Sequence, residues 1–116
     1  MIRRQCLTAI LPCNDLDASE AFYARLGFTQ REGDINYRML SDGRGGELHL
    51  HPAVKGWLTP GRNPFGLYLY VENVDELAEK MGCTPEDKPW GMYEFAVSDP
   101  DETLVRVGWP TRLRAG

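Results

Sequence analysis

Polar and apolar residues alternate along seven short stretches of the chain, which is the spacing of strands that bury one face. The strands are predicted at 5–12, 28–31, 35–40, 47–51, 66–71, 92–97 and 103–109. Two other stretches have helical spacing. One begins with the capping-box-like sequence Asp17-Ala-Ser-Glu20 and ends at Gly27, and the other begins at Asn73 and ends at Gly82. The pattern therefore predicts an α+β protein.

The second half of the chain repeats the plan of the first at a nearly constant offset. Asp17 and Asp75, near the two helix starts, are 58 positions apart, and His49 and Arg106, in the last strand of each half, are 57 apart. The offset indicates two β-α-β-β-β units in one domain, because neither unit could bury its apolar face alone. We place the first module at about 1–52, a linker rich in proline and glycine at 53–64, and the second module at about 65–116, with a shortened helix and strand region near 81–88.

The strand residues divide by parity into two unlike faces. The aliphatic face, which we expect the helices to cover, has Leu7, Ala9, Leu11, Leu48, Leu50, Leu67, Leu69, Val71, Val105 and Val107. The opposite, polar-aromatic face has Thr8, Glu47, His49, His51, Tyr68, Tyr70 and Arg106. Such a face is either solvated or folded around a groove. Its large aromatic and titratable side chains favour a groove, since aromatic walls with a few polar groups are typical of small-molecule sites.

Two loops and one further strand add candidates for ligand contact. Trp57 and Trp90 lie beside loops rich in proline and glycine, where each would either stack on a ligand or cap a sheet end. Glu94 would point into the groove if the residues on either side of it pack on the helices. The predicted ligand-binding residues are Glu47, His49, Trp57, Tyr68, Tyr70, Trp90, Glu94 and Arg106.

A metal site is another use for the polar-aromatic face. Glu47, His49 and His51 lie on one side of a strand and are ligands that suit Zn²⁺ or Fe²⁺. The matching positions of the other strands hold a threonine, a glycine and an arginine, which are not metal ligands. General acid–base catalysis by Glu47, His49 or Glu94 is also open. We expect no bound metal, no cofactor and no catalytic residue.

The composition narrows the class of partner and the compartment. The formal net charge of −4 makes nucleic acid an unsuitable partner and favours a neutral or cationic ligand. No apolar run approaches the length of a membrane span, so no membrane contact is expected. Three cysteines without paired spacing fit a reducing cytoplasm better than a disulfide framework.

Several motifs resemble the vicinal oxygen chelate superfamily, which contains glyoxalases, bleomycin resistance proteins and extradiol dioxygenases. They are the stretch from Asp15 to Phe28 with Ala-Phe-Tyr and Leu-Gly-Phe, the strand 47–51, the motif Pro89-Trp-Gly-Met-Tyr-Glu-Phe, and Asp99-Pro-Asp. The resemblance implies paired βαβββ modules whose curved mixed sheets enclose a cleft. It also implies a homodimer in which the partner subunit often completes that cleft.

The resemblance also bears on function. Enzymes of the superfamily hold a metal at positions that fall here on Thr8, His49, Gly66 and Arg106, and only His49 could bind one. The chain is closer to the bleomycin resistance branch, which implies metal-independent sequestration of a small aromatic or cationic compound of the bleomycin type. The alternatives are a metal-dependent glyoxalase, lyase or dioxygenase that uses His49, and a protein that acts only through its dimer surface. Glu102 stands where the family usually has glycine, at a cost of about 1 kcal/mol if its φ is positive.

Overall fold

The computed structural model describes residues 5–114, which fold as two βαβββ modules and confirm the predicted α+β class. The first module contains β1 (Ala9–Cys13), α1 (Leu16–Arg25), β2 (Thr29–Gly33), β3 (Arg38–Ser41) and β4 (Glu47–Pro52). The second contains β5 (Gly66–Tyr70), α2 (Val74–Met81), β6 (Glu86–Asp87), β7 (Met92–Ser98) and β8 (Leu104–Pro110). A short 3₁₀ helix follows at Thr111–Leu113. None of the helices in residues 5–114 is long and apolar enough to cross a membrane.

Each module forms one mixed sheet of four strands. The strand orders are β1-β4-β3-β2 and β5-β8-β7-β6, and in each sheet only the first pair is parallel. In the second sheet Tyr68 pairs with Arg106, and Glu94 pairs with Gly108. This register brings residues of three strands to the same face, because directly paired residues point the same way.

The first helix begins earlier than its capping-box-like sequence predicts. Asp15, not Asp17, is the N-cap, since its Oδ1 accepts a hydrogen bond at 3.1 Å from the amide of the third helical residue. Asp17 and Glu20 instead accept hydrogen bonds of 2.9 and 2.7 Å from the guanidinium of Arg38. The two acidic residues of the motif therefore tie the helix to β3.

The second helix agrees with the prediction. Asn73 precedes its first residue, and Gly82 ends it with a φ of 71°, a left-handed value that suits glycine. The shortened region near 81–88 contains a minimal strand, the two residues of β6. The second module is therefore a compressed copy of the first with every strand present.

The aliphatic face forms the core, as predicted. The buried apolar residues include Phe22, Leu26, Phe28, Leu40, Leu48, Leu50, Val71, Val74, Leu77, Phe95, Val105 and Val107. Helix α1 packs on β4, α2 packs on β7 and β8, and the two helices touch each other. The prediction is wrong at the start of the first strand, because residues 5–8 are not in a strand and Leu7 is 93% exposed.

Two buried aspartates join the modules at the turn between β7 and β8. Asp99 accepts a hydrogen bond of 2.7 Å from the Tyr23 hydroxyl, and Asp101 accepts one of 2.9 Å from the Asn14 side chain. Burial, followed by the hydrogen bond to Asp99, raises the pKa of Tyr23 above its usual range. In the same turn Glu102 has a φ of 65°. This is the left-handed conformation in which we expect a residue other than glycine to be strained.

Candidate ligand-binding site

A buried carboxylate organises the polar-aromatic face of the second sheet. The side chain of Glu94 is only 1% exposed. Its Oε1 accepts hydrogen bonds from the Tyr68 hydroxyl at 2.8 Å and from the Trp90 indole at 3.1 Å, and its Oε2 accepts one from Arg106 at 2.8 Å. Four of the eight predicted ligand-binding residues therefore form one network. Glu94 lies beneath the other three, with both of its oxygens engaged by protein donors.

The network sets the charge state of its members. Burial raises the pKa of Glu94, but hydrogen bonds from Trp90, Tyr68 and Arg106, with the charge of Arg106, outweigh it and hold that pKa below the ordinary value. Burial, and then the hydrogen bond to Glu94, raises the pKa of Tyr68 above its usual range. At neutral pH the network is therefore an ion pair flanked by two neutral donors.

Gly108 makes room for this network and was absent from the predicted site. It pairs with Glu94 across the sheet, and a Cβ at this position would lie 2.7 Å from the Glu94 Cβ and would overlap the Tyr68 hydroxyl. A methyl group cannot be accommodated there without displacing one of the two. The signal in the sequence was a glycine inside an otherwise regular strand, which often marks a close approach of side chains.

The polar-aromatic face of the first sheet carries a separate cluster. The Tyr37 hydroxyl lies 2.9 Å from Nδ1 of His49. The Tyr37 ring is nearly parallel to that of His51, with an angle of 11° between planes and 6.2 Å between centroids. Within residues 5–114 no three His, Cys, Asp or Glu side chains come together as a metal site. Sequence reasoning missed Tyr37, which lies in the predicted strand 35–40, because the residues of that strand were not assigned to a face of the sheet.

An open cleft of about 780 Å³ lies between the two sheets, lined by β1 and β4 on one side and by β5 and β8 on the other. Three predicted residues line it, namely Glu47, Tyr68 and Tyr70. The other lining residues are Leu7, Thr8, Ala9, Tyr23, Leu26, Phe28, Asp42, Arg44, Gly45, Gly46, Leu48, Gly66, Leu67, Leu69, Val71, Glu72, Val105 and Trp109. The rings of Tyr68 and Tyr70 have centroids 4.5 Å apart and form an aromatic wall.

The cleft differs from the expected groove in its lining. We expected the whole polar-aromatic face to surround it, but His49, His51 and Arg106 do not line it. Residues of both parities of β5 line it instead, together with members of the aliphatic face such as Leu48 and Val105. Trp57 also stands apart, since the residue is 81% exposed and lies outside the cleft lining.

Two βαβββ modules with an open cleft between their sheets define the glyoxalase, bleomycin resistance protein and dioxygenase superfamily. No protein-family model matches the chain. A bleomycin resistance protein from Klebsiella pneumoniae is 30% identical, and the match covers 86% of this chain and 88% of the relative. This similarity places the chain in the bleomycin resistance protein family.

Solved structures agree with this placement. A bleomycin-binding protein crystallised with bleomycin has a TM-score of 0.76 and 28% identity, and the match covers 90% of this chain and 98% of that one. A bleomycin resistance determinant encoded on the transposon Tn5 has a TM-score of 0.73 and 27% identity, with 91% and 98% covered. The similarity therefore extends over both modules.

Proposed function

We propose that the protein binds and sequesters a small aromatic or cationic compound without the help of a metal ion. The cleft between the sheets carries this proposal, because it combines an apolar interior, an aromatic wall and acidic groups. Its volume of about 780 Å³ lies within the range of roughly 300–1,000 Å³ that is usual for small-molecule pockets. Bleomycin is the first candidate ligand, since a similar structure holds it.

The charges around the cleft favour a cationic group on the ligand. Asp42, Glu47 and Glu72 line the cleft together with one cation, Arg44. Carboxylates beside an apolar wall attract cations more strongly than the same groups in open water, because the field is less screened there. The faces of Tyr68 and Tyr70 add attraction for a cation or for a flat ring.

We infer that the working form is a homodimer. Leu7, Ile10 and Phe65 are large apolar residues that are 93%, 58% and 72% exposed. Exposing such side chains to water is unfavourable for a monomer, and exposed apolar surface often marks a protein interface. The strands β1 and β5 are also sheet edges with unpaired backbone groups. A partner subunit would cover such surfaces and narrow the cleft. We place this function in the cytoplasm, where the three free cysteines would stay reduced.

The alternative is a metal-dependent lyase or dioxygenase that uses His49. The superfamily includes such enzymes, so fold alone does not decide between binder and enzyme. One contact favours the binder, because Arg106, at one of the metal-ligand positions, is paired with Glu94. Elemental analysis of the purified protein separates the two, because a stoichiometric transition metal would support the enzyme.

Calorimetric titration with metal-free bleomycin in the presence of a chelator tests the binding function. We expect saturable binding, and we expect Glu47→Gln to weaken it about two- to fivefold through loss of one charge interaction. Tyr70→Leu should weaken it about threefold or more, because the aromatic wall is lost. Glu79→Gln, on the exposed side of α2, is the charge-matched control and should bind like the wild type. No heat at millimolar bleomycin would rule out drug binding.

A further inference from the structure

The turn between β3 and β4 forms part of the cleft wall and reaches the second module. Its residues in the cleft lining are Asp42, Arg44, Gly45 and Gly46. Three of the last four residues of the turn are glycine, so Arg44 contributes the one side chain there. Its guanidinium donates a hydrogen bond of 3.3 Å to Oδ1 of Asn73, the N-cap of α2. Arg44 therefore connects the two modules beside the cleft.

The backbone of this turn is fixed, but the Arg44 side chain is held weakly. Oδ1 of Asp42 accepts hydrogen bonds of 2.8 Å from the amides of Arg44 and Gly46. The Arg44 residue itself is exposed, and the bond to Asn73 is the one side-chain hydrogen bond that it makes among residues 5–114. The guanidinium can therefore move into water while the turn keeps its shape.

The charges that line the cleft are not neutralised by close ion pairs. The lining has three carboxylates and one guanidinium, a net charge of −2, contributed by Asp42, Glu47, Glu72 and Arg44. No ion pair among residues 5–114 includes any of the four. They lie beside an apolar wall, where charges interact over a longer range than in open water. Arg44 is therefore the one cation that offsets the acidic field of the cleft.

Arg44 is poorly placed to receive an anion. Asp42 lies in the same turn, Glu72 comes directly before the N-cap of α2, and Asp75 and Glu76 belong to the first turn of that helix. An anion that approached the guanidinium would be repelled by these carboxylates. A cation is attracted by the same carboxylates, but it shares them with Arg44 and is repelled by the guanidinium unless that group moves away.

We propose that Arg44 is an internal counter-ion of the cleft and limits how tightly the cleft binds a cationic group, such as an ammonium. A ligand cation takes over the carboxylates from the guanidinium, which turns out into water. The inference rests on the proposed ligand-binding function and adds the residue that determines its charge selectivity. Removal of the Arg44 charge should therefore strengthen the binding of a cation and leave the binding of a neutral compound of the same shape unchanged.

Two probes of matched shape test this role, namely naphthalen-2-ylmethylammonium and the neutral naphthalen-2-ylmethanol. Each is titrated calorimetrically into the full-length protein at low ionic strength. We expect Arg44→Gln to bind the ammonium compound about two- to fivefold more tightly than the wild type, the effect of one partly exposed charge interaction, and to bind the alcohol equally well. Arg44→Lys, which keeps the charge, should show no gain. At about 1 M salt the gain should disappear, because the Debye length falls to about 3 Å.

Two further variants separate the local charge from the net charge of the protein. Arg62→Gln removes an exposed arginine from the segment between the modules, outside the cleft lining, and should give no gain. Glu47→Gln in the Arg44→Gln background should cancel the gain, because the net charge of the lining returns to −2.

The inference is overturned if Arg44→Gln binds the ammonium compound no more tightly than the wild type, or if the alcohol or Arg62→Gln shows an equal gain. A gain that persists at about 1 M salt, or an ammonium compound that fails to bind at millimolar concentration, would also overturn it. A parallel bleomycin titration of the wild type reports on the proposed function separately. Bleomycin binding without the Arg44→Gln gain would refute only the counter-ion, and the gain without bleomycin binding would support the counter-ion and refute the drug as ligand.

Discussion

Replacing Glu94 by alanine removes the group that holds the second polar-aromatic face together. The substitution leaves the hydroxyl of Tyr68, the indole of Trp90 and the guanidinium of Arg106 without their shared acceptor. Removing one partner of a fully buried ion pair costs about 3–5 kcal/mol. Arg106 is 42% exposed here, so water replaces part of its lost interaction. We therefore expect the free energy of unfolding to fall by about 2–3 kcal/mol.

The pH dependence of a milder variant, Glu94→Gln, tests the same reasoning. The pKa of Glu94 is lowered in the folded protein, so the unfolded chain binds the proton at higher pH. Its contribution to stability is therefore complete above the unfolded pKa of about 4.3 and is lost as the pH falls through the folded-state pKa. The stability difference between wild type and Glu94→Gln should be constant near neutral pH and should shrink below about pH 4.

Urea-induced unfolding followed by circular dichroism measures both quantities. Glu79→Ala and Glu79→Gln are the matched controls, because Glu79 is exposed on α2 and contacts no cation in the described part of the chain. Both controls should stay within about 0.5 kcal/mol of the wild type. The reasoning fails if Glu94→Ala is as stable as Glu79→Ala, or if the difference for Glu94→Gln grows as the pH falls.

Three further predictions test the packing of the fold by the same unfolding assay. Gly108→Ala should lower the free energy of unfolding by about 2–3 kcal/mol, because the added Cβ has no room. Gly66→Ala, whose Cβ would have its nearest contact at 3.4 Å, should lower it by less than about 1 kcal/mol. Equal losses for the two variants would contradict the argument from crowding. Glu102→Gly should be about 1 kcal/mol more stable than Glu102→Ala. Both variants lose an exposed hydrogen bond, but only glycine removes the strain of the positive φ. Equal stability of the two variants would show that the turn is unstrained. Tyr23→Phe should lose about 1–3 kcal/mol by leaving Asp99 one donor short. An unchanged midpoint would mean that the amides of Asp101 and Thr103, which also donate hydrogen bonds to Asp99, suffice.

The fold could be predicted because its signals are local and repeated. Alternation of polar and apolar residues identified the strands, and the glycines at the ends of the two helices identified where these stop. The start of the first helix was predicted less accurately, because Asp15 and Asp17 are both residues that can cap a helix. Only the position of Arg38 on β3 decides which of them caps and which forms an ion pair.

The site was harder to predict because its contacts join residues distant in sequence. Tyr68 and Arg106 were assigned to the polar-aromatic face, and Glu94 was expected to point into the groove if its neighbours pack on the helices. The pattern did not indicate that Glu94 would lie beneath the others as their common acceptor. Gly108 was missed because it carries no side chain, and Tyr37 was missed because the residues of its predicted strand were not assigned to a face of the sheet. His49 was expected to share a groove with Arg106, and the structure places it in a separate cluster.

The sequence by itself determined the class of structure: two copies of a βαβββ unit, each with one aliphatic and one polar-aromatic face. It did so because the side-chain period of a strand or helix follows from backbone geometry alone. Only the tertiary structure decided how the two sheets approach each other, which strands line the cleft and which carboxylate is buried. Those choices depend on packing between distant segments, and a buried charge such as Glu94 is tolerated only where two other strands and a turn bring enough donors to it.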